Sequence, residues 1–355
     1  MTSRIQAKLD RVCIVMMSAL GDAVHTLPVI TAIKRHHPAA HITWVLQPGS
    51  AQLARGHSGV DEIILFDRKR GARAFLDIRE RLHKRRFDVV LALQVYLKAG
   101  IITRMTAAPV KLGFDRARAR DLNWLFTTHR IPAHPVQHVQ DQYFEFLHAL
   151  GIQSEPVEWD IGPWRHERDW QREFFRKLEH PIASLVVATS KPDKDWPPER
   201  WARVCDALWL DHGVQPVLVG GRSERELAAG NVIVGRSSAP IISTLGMSVR
   251  EMVSVIDGSV LTLSPDTGPM HMSVALGTPV ISLFGYTNPK RTGPYRFCHD
   301  MIVDAYGDPG ENYVASMEHR PGRMLRIQPE QVLEKLGVWR ERYASEAARK
   351  VPGKA

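Results

Sequence analysis

The chain has few cysteines, and they are scattered. Cys13, Cys205 and Cys298 are the only three, and none stands in a CxxC or other metal-ligand spacing. An odd, widely spaced set argues against a disulfide framework and is typical of a protein from a reducing compartment. We expect all three to be small buried apolar side chains.

Long hydrophobic runs are also missing. The longest candidates, 12–20 and 89–97, have the length of strands and fall short of the ~20 apolar residues that span a membrane. The first eleven residues are polar and mixed in charge, so no signal peptide is expected. No GxGxxG fingerprint or Walker P-loop is present, so no common nucleotide-binding motif is indicated.

Positive charge is concentrated in the first half of a chain of otherwise ordinary composition. The 355 residues, 44% hydrophobic and 24% charged, suit a soluble protein of about two domains. Residues 68–120 contain fifteen Lys/Arg against four Asp/Glu, whereas the whole chain carries a net charge of +9. This predicts an anionic partner: a nucleic acid, an acidic membrane surface or a phosphorylated substrate. For 79–86, a solvated helix face is an equally good interpretation.

Strand and helix patterns alternate along the whole chain. Strands are predicted at 12–17, 42–46, 62–66, 89–94, 111–114, 184–188, 216–220, 259–263, 280–284 and 301–303. Helices are predicted at 29–36, 74–84, 140–150, 170–178, 198–210, 223–229, 249–256, 272–276 and 329–344. This alternation predicts an α/β fold with two doubly wound parallel sheets covered by helices on both faces.

The two halves are expected to form separate domains. A segment rich in proline, glycine and charge, 151–168, favours a boundary there, giving a first domain over 1–165 and a second over 166–325. The remaining segment, 326–355, is predicted to contain a helix that packs back on the first domain. Because doubly wound sheets bind ligands at the carboxyl ends of their strands, the two domains would face each other across a cleft.

The strongest functional signal is an Asp-Thr-Gly turn between a predicted strand and a short predicted helix. The turn consists of Asp266, Thr267 and Gly268, and His271 follows one helical turn later. Free N–H groups at a helix start form an anion site, to which the histidine adds a donor. The pattern predicts a phosphate or diphosphate site that needs no metal.

Two other strand ends carry polar side chains. After the first strand, Gly21 permits a tight turn, and Asp22 stands at or near a helix start, where a helix N-cap is a more common role than a general base. His25, one turn further, is more often a packed histidine than a ligand-binding one. After the strand at 184–188, hydroxyls and lysines suit a phosphate; the residues are Thr189, Ser190, Lys191 and Lys194. Glu224 or Glu226 could accept hydrogen bonds from a ribose, although solvated surface carboxylates are the more common case.

These stretches resemble the bacterial lipopolysaccharide heptosyltransferases, which are GT-B enzymes of glycosyltransferase family 9. The family pattern S-x-L-G-D-x-x-H-T-L-P is matched from Ser18 to Pro28, and K-x-W-P from Lys194 to Pro197. D-T-G-x-x-H with its A-L-G-x-P tail is matched from Asp266 to Pro279, and F-G-x-T-x-P-x-R-x-G-P from Phe284 to Pro294. Two positions depart from the usual pattern, Ser273 in place of alanine and Tyr286 in place of proline.

The resemblance implies inverting, metal-independent transfer of a heptose from ADP-heptose to the Kdo or inner-core region of lipopolysaccharide. The HTLP stretch is most similar to the enzymes that add the first heptose. By resemblance, the catalytic residues are Asp22, as general base, and Lys194. The implied donor-binding residues are Thr189, Ser190, Glu224, Asp266, Thr267, Gly268 and His271, and the implied acceptor-binding residues are His25, Lys98 and Arg120. No metal or cofactor is expected.

The resemblance also implies partners and a location. The acceptor would be an anionic lipid-linked oligosaccharide, and the enzyme would be cytoplasmic and peripherally associated with the inner leaflet, without binding nucleic acid. Two alternatives remain open at this point. One is a GT-B transferase or epimerase acting on another nucleotide sugar. The other is a non-catalytic nucleic-acid-binding protein, although the basic runs lack interleaved aromatic residues and a recognition module.

Overall fold

The computed structural model describes residues 4–348 and consists of two compact units, Met1–Ile161 and Gly162–Ala355. The division falls inside the segment 151–168 in which the sequence predicts the boundary. Each unit contains one six-stranded sheet in which every neighbouring pair of strands is parallel. The α/β class expected from the alternating pattern is confirmed.

The first unit has the strand order β3-β2-β1-β4-β5-β6. Its strands are β1 (Arg11–Val15), β2 (His41–Leu46), β3 (Glu62–Leu65), β4 (Val89–Ala92), β5 (Val110–Gly113) and β6 (His129–Arg130). Its helices are α1 (Leu20–His36), α2 (Pro48–Ala54), α3 (Ala72–His83), α4 (Leu97–Met105) and α5 (Val139–Ala149).

The second unit has the strand order β12-β11-β10-β7-β8-β9, which is the same topology counted from its own first strand. Its strands are β7 (Ile182–Val186), β8 (Gln215–Val219), β9 (Ile242–Ser243), β10 (Leu261–Pro265), β11 (Val280–Phe284) and β12 (Ile302–Asp304). Its helices are α6 (Arg165–Arg176), α7 (Pro198–His212), α8 (Glu224–Arg236), α9 (Val249–Asp257), α10 (Gly268–Leu276), α11 (Pro289–Thr292), α12 (Pro329–Arg342) and α13 (Ala344–Ala348).

The central strands are buried on both faces, which is why they read as nearly continuous apolar runs. Cys13, Ile14 and Val15 of β1 have no exposed surface. On one face, α3 packs through the stripe Ala74, Ile78 and Leu82, whose spacing of four places them on the same side of the helix. All three cysteines are buried and unpaired by disulfides, as expected.

Some element boundaries differ from the sequence prediction. α1 begins at Leu20, whereas the sequence predicts a start at residue 29. Gly21 and Pro28 both lie within the helix, and the residues from 23 to 30 are all buried. α10 begins at Gly268, one turn before the predicted start. The two-residue edge strands β6 and β9 and the helix α4 are absent from the prediction.

The C-terminal helix α12 packs on the second unit, and its predicted packing on the first unit stays a prediction. Its buried stripe is Val332, Leu336 and Trp339, and the Trp339 indole donates to the Val260 carbonyl at 3.1 Å. The packing follows because this stripe covers apolar surface beside α7 and β12. Residues 349–355 of the predicted C-terminal segment lie outside the described residues. Between 4 and 348, no helix has both the length and the apolar content needed to cross a bilayer.

Candidate active site

Both sheets reverse their strand order at the centre, between β1 and β4 in one unit and between β10 and β7 in the other. The loops that follow such strands diverge, and ligands of doubly wound sheets bind in the crevice between them. Predicted site residues follow all four of these strands. Asp22 follows β1, Lys98 follows β4, Lys194 follows β7, and Asp266 and His271 follow β10.

Asp22 is the third residue of α1, not its N-cap. One carboxylate oxygen accepts from the Ala19 backbone N–H at 2.8 Å, and the other accepts from the Tyr143 hydroxyl at 3.3 Å. The positive end of the helix also favours a negative charge here. Within residues 4–348, no ion pair forms at Asp22, so it is a partly exposed carboxylate held only by neutral donors.

The turn before Asp22 is held from across the switch point. Gln94, just after β4, donates to the Ser18 carbonyl at 2.7 Å and accepts from the Met17 N–H at 3.4 Å. Sequence reasoning missed both Gln94 and Tyr143. They lie 76 and 121 residues from the atoms they bind, and neither stands in a motif. Together they fix the direction in which the Asp22 carboxylate points.

His25 is buried in the packing of α1 against α5. It is 3% exposed, its Nδ1 lies 2.9 Å from Gln140 Oε1, and the Gln140 amide in turn donates to the His25 carbonyl at 2.9 Å. The His25 and His138 rings are also in edge-to-face contact, with their centroids 5.7 Å apart. This environment is that of a packed histidine, and direct binding of an acceptor by His25 stays a prediction.

Lys98 and Arg120 are exposed at the carboxyl edge of the first sheet. Lys98 is the second residue of α4, and Arg120 follows β5, with its N–H donating to the Val95 carbonyl at 3.0 Å. Both therefore lie at the same edge as Asp22. The arrangement brings two cations and one carboxylate to the edge where a ligand of this sheet would bind.

In the second unit, Lys194 and Asp266 form a buried ion pair. The Lys194 ammonium lies 2.8 Å from the Asp266 carboxylate and donates to the Asp266 carbonyl at 3.0 Å. The side chains are 17% and 7% exposed. The loop after β7 and the loop after β10 are thus tied together by a charge-assisted hydrogen bond.

Three further donors surround the Asp266 carboxylate. Thr287 and Thr292 donate to one oxygen at 2.6 and 3.3 Å, and His271 Nε2 lies 3.6 Å from the other. Burial by itself would raise the pKa of Asp266, but Lys194 and His271 outweigh it, so the pKa lies well below its usual range. Asp266 is therefore a fixed negative charge, and Thr292 is a contact that the sequence did not reveal.

The loop after β7 uses some of its polar groups internally. The Thr189 hydroxyl donates to the Lys191 carbonyl at 2.7 Å, and the Thr189 N–H donates to Asp195 at 2.6 Å. Arg225 pairs with Asp195 at 2.8 Å and donates to the Thr189 carbonyl. Ser190 is exposed. The predicted Thr189 hydroxyl is therefore committed to shaping the loop, and Arg225, which the sequence did not single out, supports it.

The two glutamates at the start of α8 have different surroundings. The Glu226 carboxylate accepts from the Gly221 N–H at 2.5 Å and from the Ser223 N–H and hydroxyl at 3.0 and 2.6 Å. It therefore completes a capping box. Glu224 is exposed at the first position of the helix, and the described residues give its carboxylate no partner. Glu224 is the one available to a ligand.

Thr267 and Gly268 form the start of α10, as N-cap and first helical residue, and His271 is the fourth residue, 6% exposed. The positive end of α10 therefore lies beside the Lys194 ammonium, which is bound to the preceding residue, Asp266. Across residues 4–348, no group of three or more His, Cys, Asp or Glu side chains is arranged to hold a metal ion. This edge can stabilise an anion through one cation, a helix terminus and hydroxyls.

Similarity to known proteins agrees with this geometry. The model of glycosyltransferase family 9 (heptosyltransferase) matches residues 75–310. The lipopolysaccharide core heptosyltransferase OpsX of Haemophilus influenzae is 28% identical over 297 residues, or 83% of this chain and 84% of the relative. Lipopolysaccharide heptosyltransferase 1 of Escherichia coli K12 is 27% identical over 340 residues, or 92% and 99%.

Solved structures show the same fold. The structure of E. coli heptosyltransferase WaaC with ADP has a TM-score of 0.73 and 26% identity, covering 94% of this chain and 99% of the relative. A family 9 glycosyltransferase from Veillonella parvula has a TM-score of 0.79 at 21% identity, covering 95% and 98%. The fold and family expected from the motifs are confirmed: the chain belongs to glycosyltransferase family 9, the heptosyltransferase family, and is a glycosyltransferase.

Proposed function

We propose that this enzyme transfers a heptose from ADP-heptose to the Kdo or inner-core region of lipopolysaccharide, with inversion and without a metal ion. The observation that carries the proposal is the contrast between the two sheet edges. One presents a carboxylate held by neutral donors, and the other presents a fixed cation beside a helix N-terminus. These are the parts that an acceptor hydroxyl and a leaving diphosphate respectively require.

The donor is assigned to the second unit. The Lys194 ammonium is already oriented by Asp266, so it can meet a diphosphate oxygen with little loss of side-chain freedom. The N–H groups of Thr267 and Gly268 and the His271 ring would add donors to the same anion. Asp266 would accept from sugar hydroxyls, and the exposed Glu224 would accept from the ribose. The presence of ADP in the related WaaC structure supports an adenine nucleotide.

Asp22 is assigned the proton transfer. The acceptor hydroxyl oxygen attacks the anomeric carbon of the heptose, and Asp22 takes the hydroxyl proton. The bond between that carbon and the diphosphate oxygen breaks in the same step, and ADP leaves with the bonding electron pair. A single displacement inverts the anomeric configuration. Lys194 and the start of α10 stabilise the negative charge that develops on the leaving phosphate.

The acceptor is assigned to the first unit. Lys98 and Arg120 lie at the same sheet edge as Asp22, and the fifteen Lys/Arg in 68–120 give this unit the sign of charge that suits an anionic lipid-linked sugar. His25 would serve the acceptor indirectly, by holding α1 against α5. We place the enzyme in the cytoplasm, at the inner leaflet where such an acceptor would be presented.

The reaction is tested by ADP release from ADP-heptose with and without a Kdo-bearing acceptor. We expect release to require the acceptor, to persist in EDTA, and to yield a product whose anomeric configuration, read by NMR, is opposite to that of the donor. Matched assays with UDP-, GDP- and CMP-sugars should give little turnover. Release without acceptor would favour an epimerase or hydrolase, and retention of configuration or loss in EDTA restored by Mg²⁺ would contradict the mechanism.

A further inference from the structure

The first unit exposes a group of large hydrophobic side chains that the active site does not explain. Five such side chains are between 42% and 64% exposed, namely Leu76, Tyr96, Leu97, Leu122 and Leu125. They are all the exposed large hydrophobic side chains among residues 4–161. All five fall within the segment 68–126, which also carries the excess of positive charge. We call the exposed side chains of this segment at the carboxyl edge of the sheet the docking edge.

Topology gathers these side chains. Four of them follow β4 and β5, which are neighbouring parallel strands whose carboxyl ends lie at one edge of the sheet. Leu76 lies on α3, which follows the outer strand β3 and contacts α4. The loops are also joined directly. Asn123 donates to the Tyr96 carbonyl at 2.8 Å, and the chain at Gly100 is so close to Phe126 that an added Cβ would come within 2.6 Å of its ring. The loop with Leu122 and Leu125 therefore rests on the start of α4.

Cations accompany the leucines. Arg68, Lys69 and Arg73 are exposed at the start of α3, and the described residues give none of them an acidic partner. Arg116 lies over the Trp124 ring at 4.1 Å. This edge therefore carries both aliphatic side chains and cations without an acidic partner. A surface that contacts only water would carry the cations without the exposed aliphatic side chains.

The loop backbone is shaped to display its apolar side chains. Leu122 has φ +57°, in the left-handed region that bulky side chains avoid, yet its side chain is 60% exposed. Strain of this kind persists where the surroundings impose it and is concentrated at functional positions. Leu125 lies in the 3-10 turn (Asn123–Phe126) that Leu122 immediately precedes, so the two exposed leucines belong to one short loop.

We propose that the docking edge binds the surface of an anionic bilayer. The leucines would enter the boundary between headgroups and acyl chains, and the cations would meet the anionic headgroups. A second copy of this chain does not fit as the occupant, because a two-fold contact would place the same cations against each other. This inference rests on the proposed function, since a lipid-linked acceptor has to be met at a membrane.

The test is co-sedimentation of the full-length protein with vesicles that contain no lipopolysaccharide. One set is pure phosphatidylcholine, and the other contains 30 mol% phosphatidylglycerol. We expect binding to the anionic vesicles that weakens with salt, and much weaker binding to the neutral ones. Leu122→Asn with Leu125→Ser, and separately Lys69→Glu with Arg73→Glu, should each lower the partition coefficient about tenfold.

Matched controls lie in the second unit. Leu210→Ser with Val234→Ser removes side chains that are 69% and 49% exposed, and Arg236→Glu reverses an exposed charge. These should bind as the wild type does. Asn tolerates the left-handed backbone at 122, so the first variant should remain folded, and the charge-reversal pair gives an independent test. The proposal would be overturned by wild-type protein that does not bind anionic vesicles, by docking-edge variants that bind them normally, or by second-unit control variants that lose binding as strongly as the docking-edge variants do.

Transfer to a deacylated, water-soluble acceptor separates this inference from the proposed function. The Leu122→Asn, Leu125→Ser variant should keep its rate within about twofold on that acceptor, because its reaction needs no bilayer. If the wild type transfers heptose to the soluble acceptor but does not bind anionic vesicles, only the docking inference fails. If it binds vesicles but transfers no heptose, the proposed function fails.

Discussion

The two units have the same sheet topology and each presents an aspartate near its switch point, yet the two carboxylates are in opposite electrostatic situations. Asp22 is partly exposed and receives hydrogen bonds from one backbone N–H and one hydroxyl. Asp266 is buried and receives an ammonium, two hydroxyls and an imidazole. A shared fold therefore does not assign the chemistry; the immediate partners of each carboxylate do.

The consequence is a division of roles. A carboxylate surrounded by cations keeps its charge and is a poor base, but it orients the cation beside it. A carboxylate with neutral donors and access to solvent can take a proton from a substrate hydroxyl. We therefore expect substitutions at the Lys194–Asp266 pair to change donor binding and stability together, and substitutions around Asp22 to change the rate alone.

The largest effect is expected for Lys194→Met. It leaves the Asp266 charge buried without its ammonium, which should destabilise the protein by about 3–5 kcal/mol and lower transfer roughly a hundredfold or more. The double variant Lys194→Met, Asp266→Asn should recover most of the stability but none of the activity. Chemical denaturation and transfer assays on the three proteins measure this. A single variant as stable as the wild type would show that the pair is not coupled.

Acid should remove the advantage of the Asp266 charge. Its pKa in the folded protein lies below the ordinary value of 3.8. The stability that its ionisation contributes is therefore complete above that value and is lost as the pH falls below it. Urea unfolding of the wild type and of Asp266→Asn should show a constant difference from pH 7 to about 5, which narrows below pH 4. A difference that vanishes by pH 6 would mean that Asp266 is protonated in the fold.

Tyr143→Phe tests the other carboxylate. The ring, 4% exposed, keeps its packing, but the donor to Asp22 is lost. We expect kcat to fall about tenfold, which corresponds to the lower end of the free energy contributed by a hydrogen bond to a charged group. The affinity for ADP and the melting temperature should stay unchanged. Leu147→Ala on the same helix provides a contrast, since it should lower stability without a specific loss in kcat. A kcat of Tyr143→Phe equal to that of the wild type would contradict a role for the Tyr143 hydroxyl in orienting Asp22.

The smallest effects distinguish the two glutamates of α8. Glu226→Gln disturbs the capping box and should cost about 1 kcal/mol of stability with little change in ADP affinity. Glu224→Gln should weaken ADP binding by a few fold and leave the melting temperature unchanged, because its carboxylate is exposed. Isothermal titration with ADP and thermal unfolding measure both. The reverse pattern would exchange the roles assigned to the two residues.

The sequence predicted the sheets because buried parallel strands carry a continuous apolar signal. Val280–Phe284 is observed at the predicted bounds. The sequence prediction misplaced the start of α1. Gly21 and Pro28 suggested a turn, but burial of the surrounding residues keeps the helix intact. The sequence could not assign the surface on which α12 packs, since the apolar stripe on a helix shows that it is covered but not which surface covers it.

The candidate site was only partly accessible to sequence reasoning. Motifs identified Asp22, Lys194 and Asp266, and the structure shows that the last two form an ion pair. Tyr143 and Gln94 were missed because their contacts with Asp22 and Ser18 span 121 and 76 residues, and no local pattern encodes such distances. Likewise, spacing alone did not distinguish Glu224 from Glu226; the hydrogen bonds of Glu226 did.

The most direct test of the division of roles is to measure transfer and donor binding on one preparation of Asp22→Asn. Asn keeps the size of the side chain and an acceptor oxygen for the Ala19 N–H, but it cannot take up a proton at neutral pH. The account predicts that transfer falls by about a hundredfold or more while the dissociation constant for ADP stays within about twofold of wild type. Near wild-type transfer, or a parallel loss of ADP binding, would contradict it.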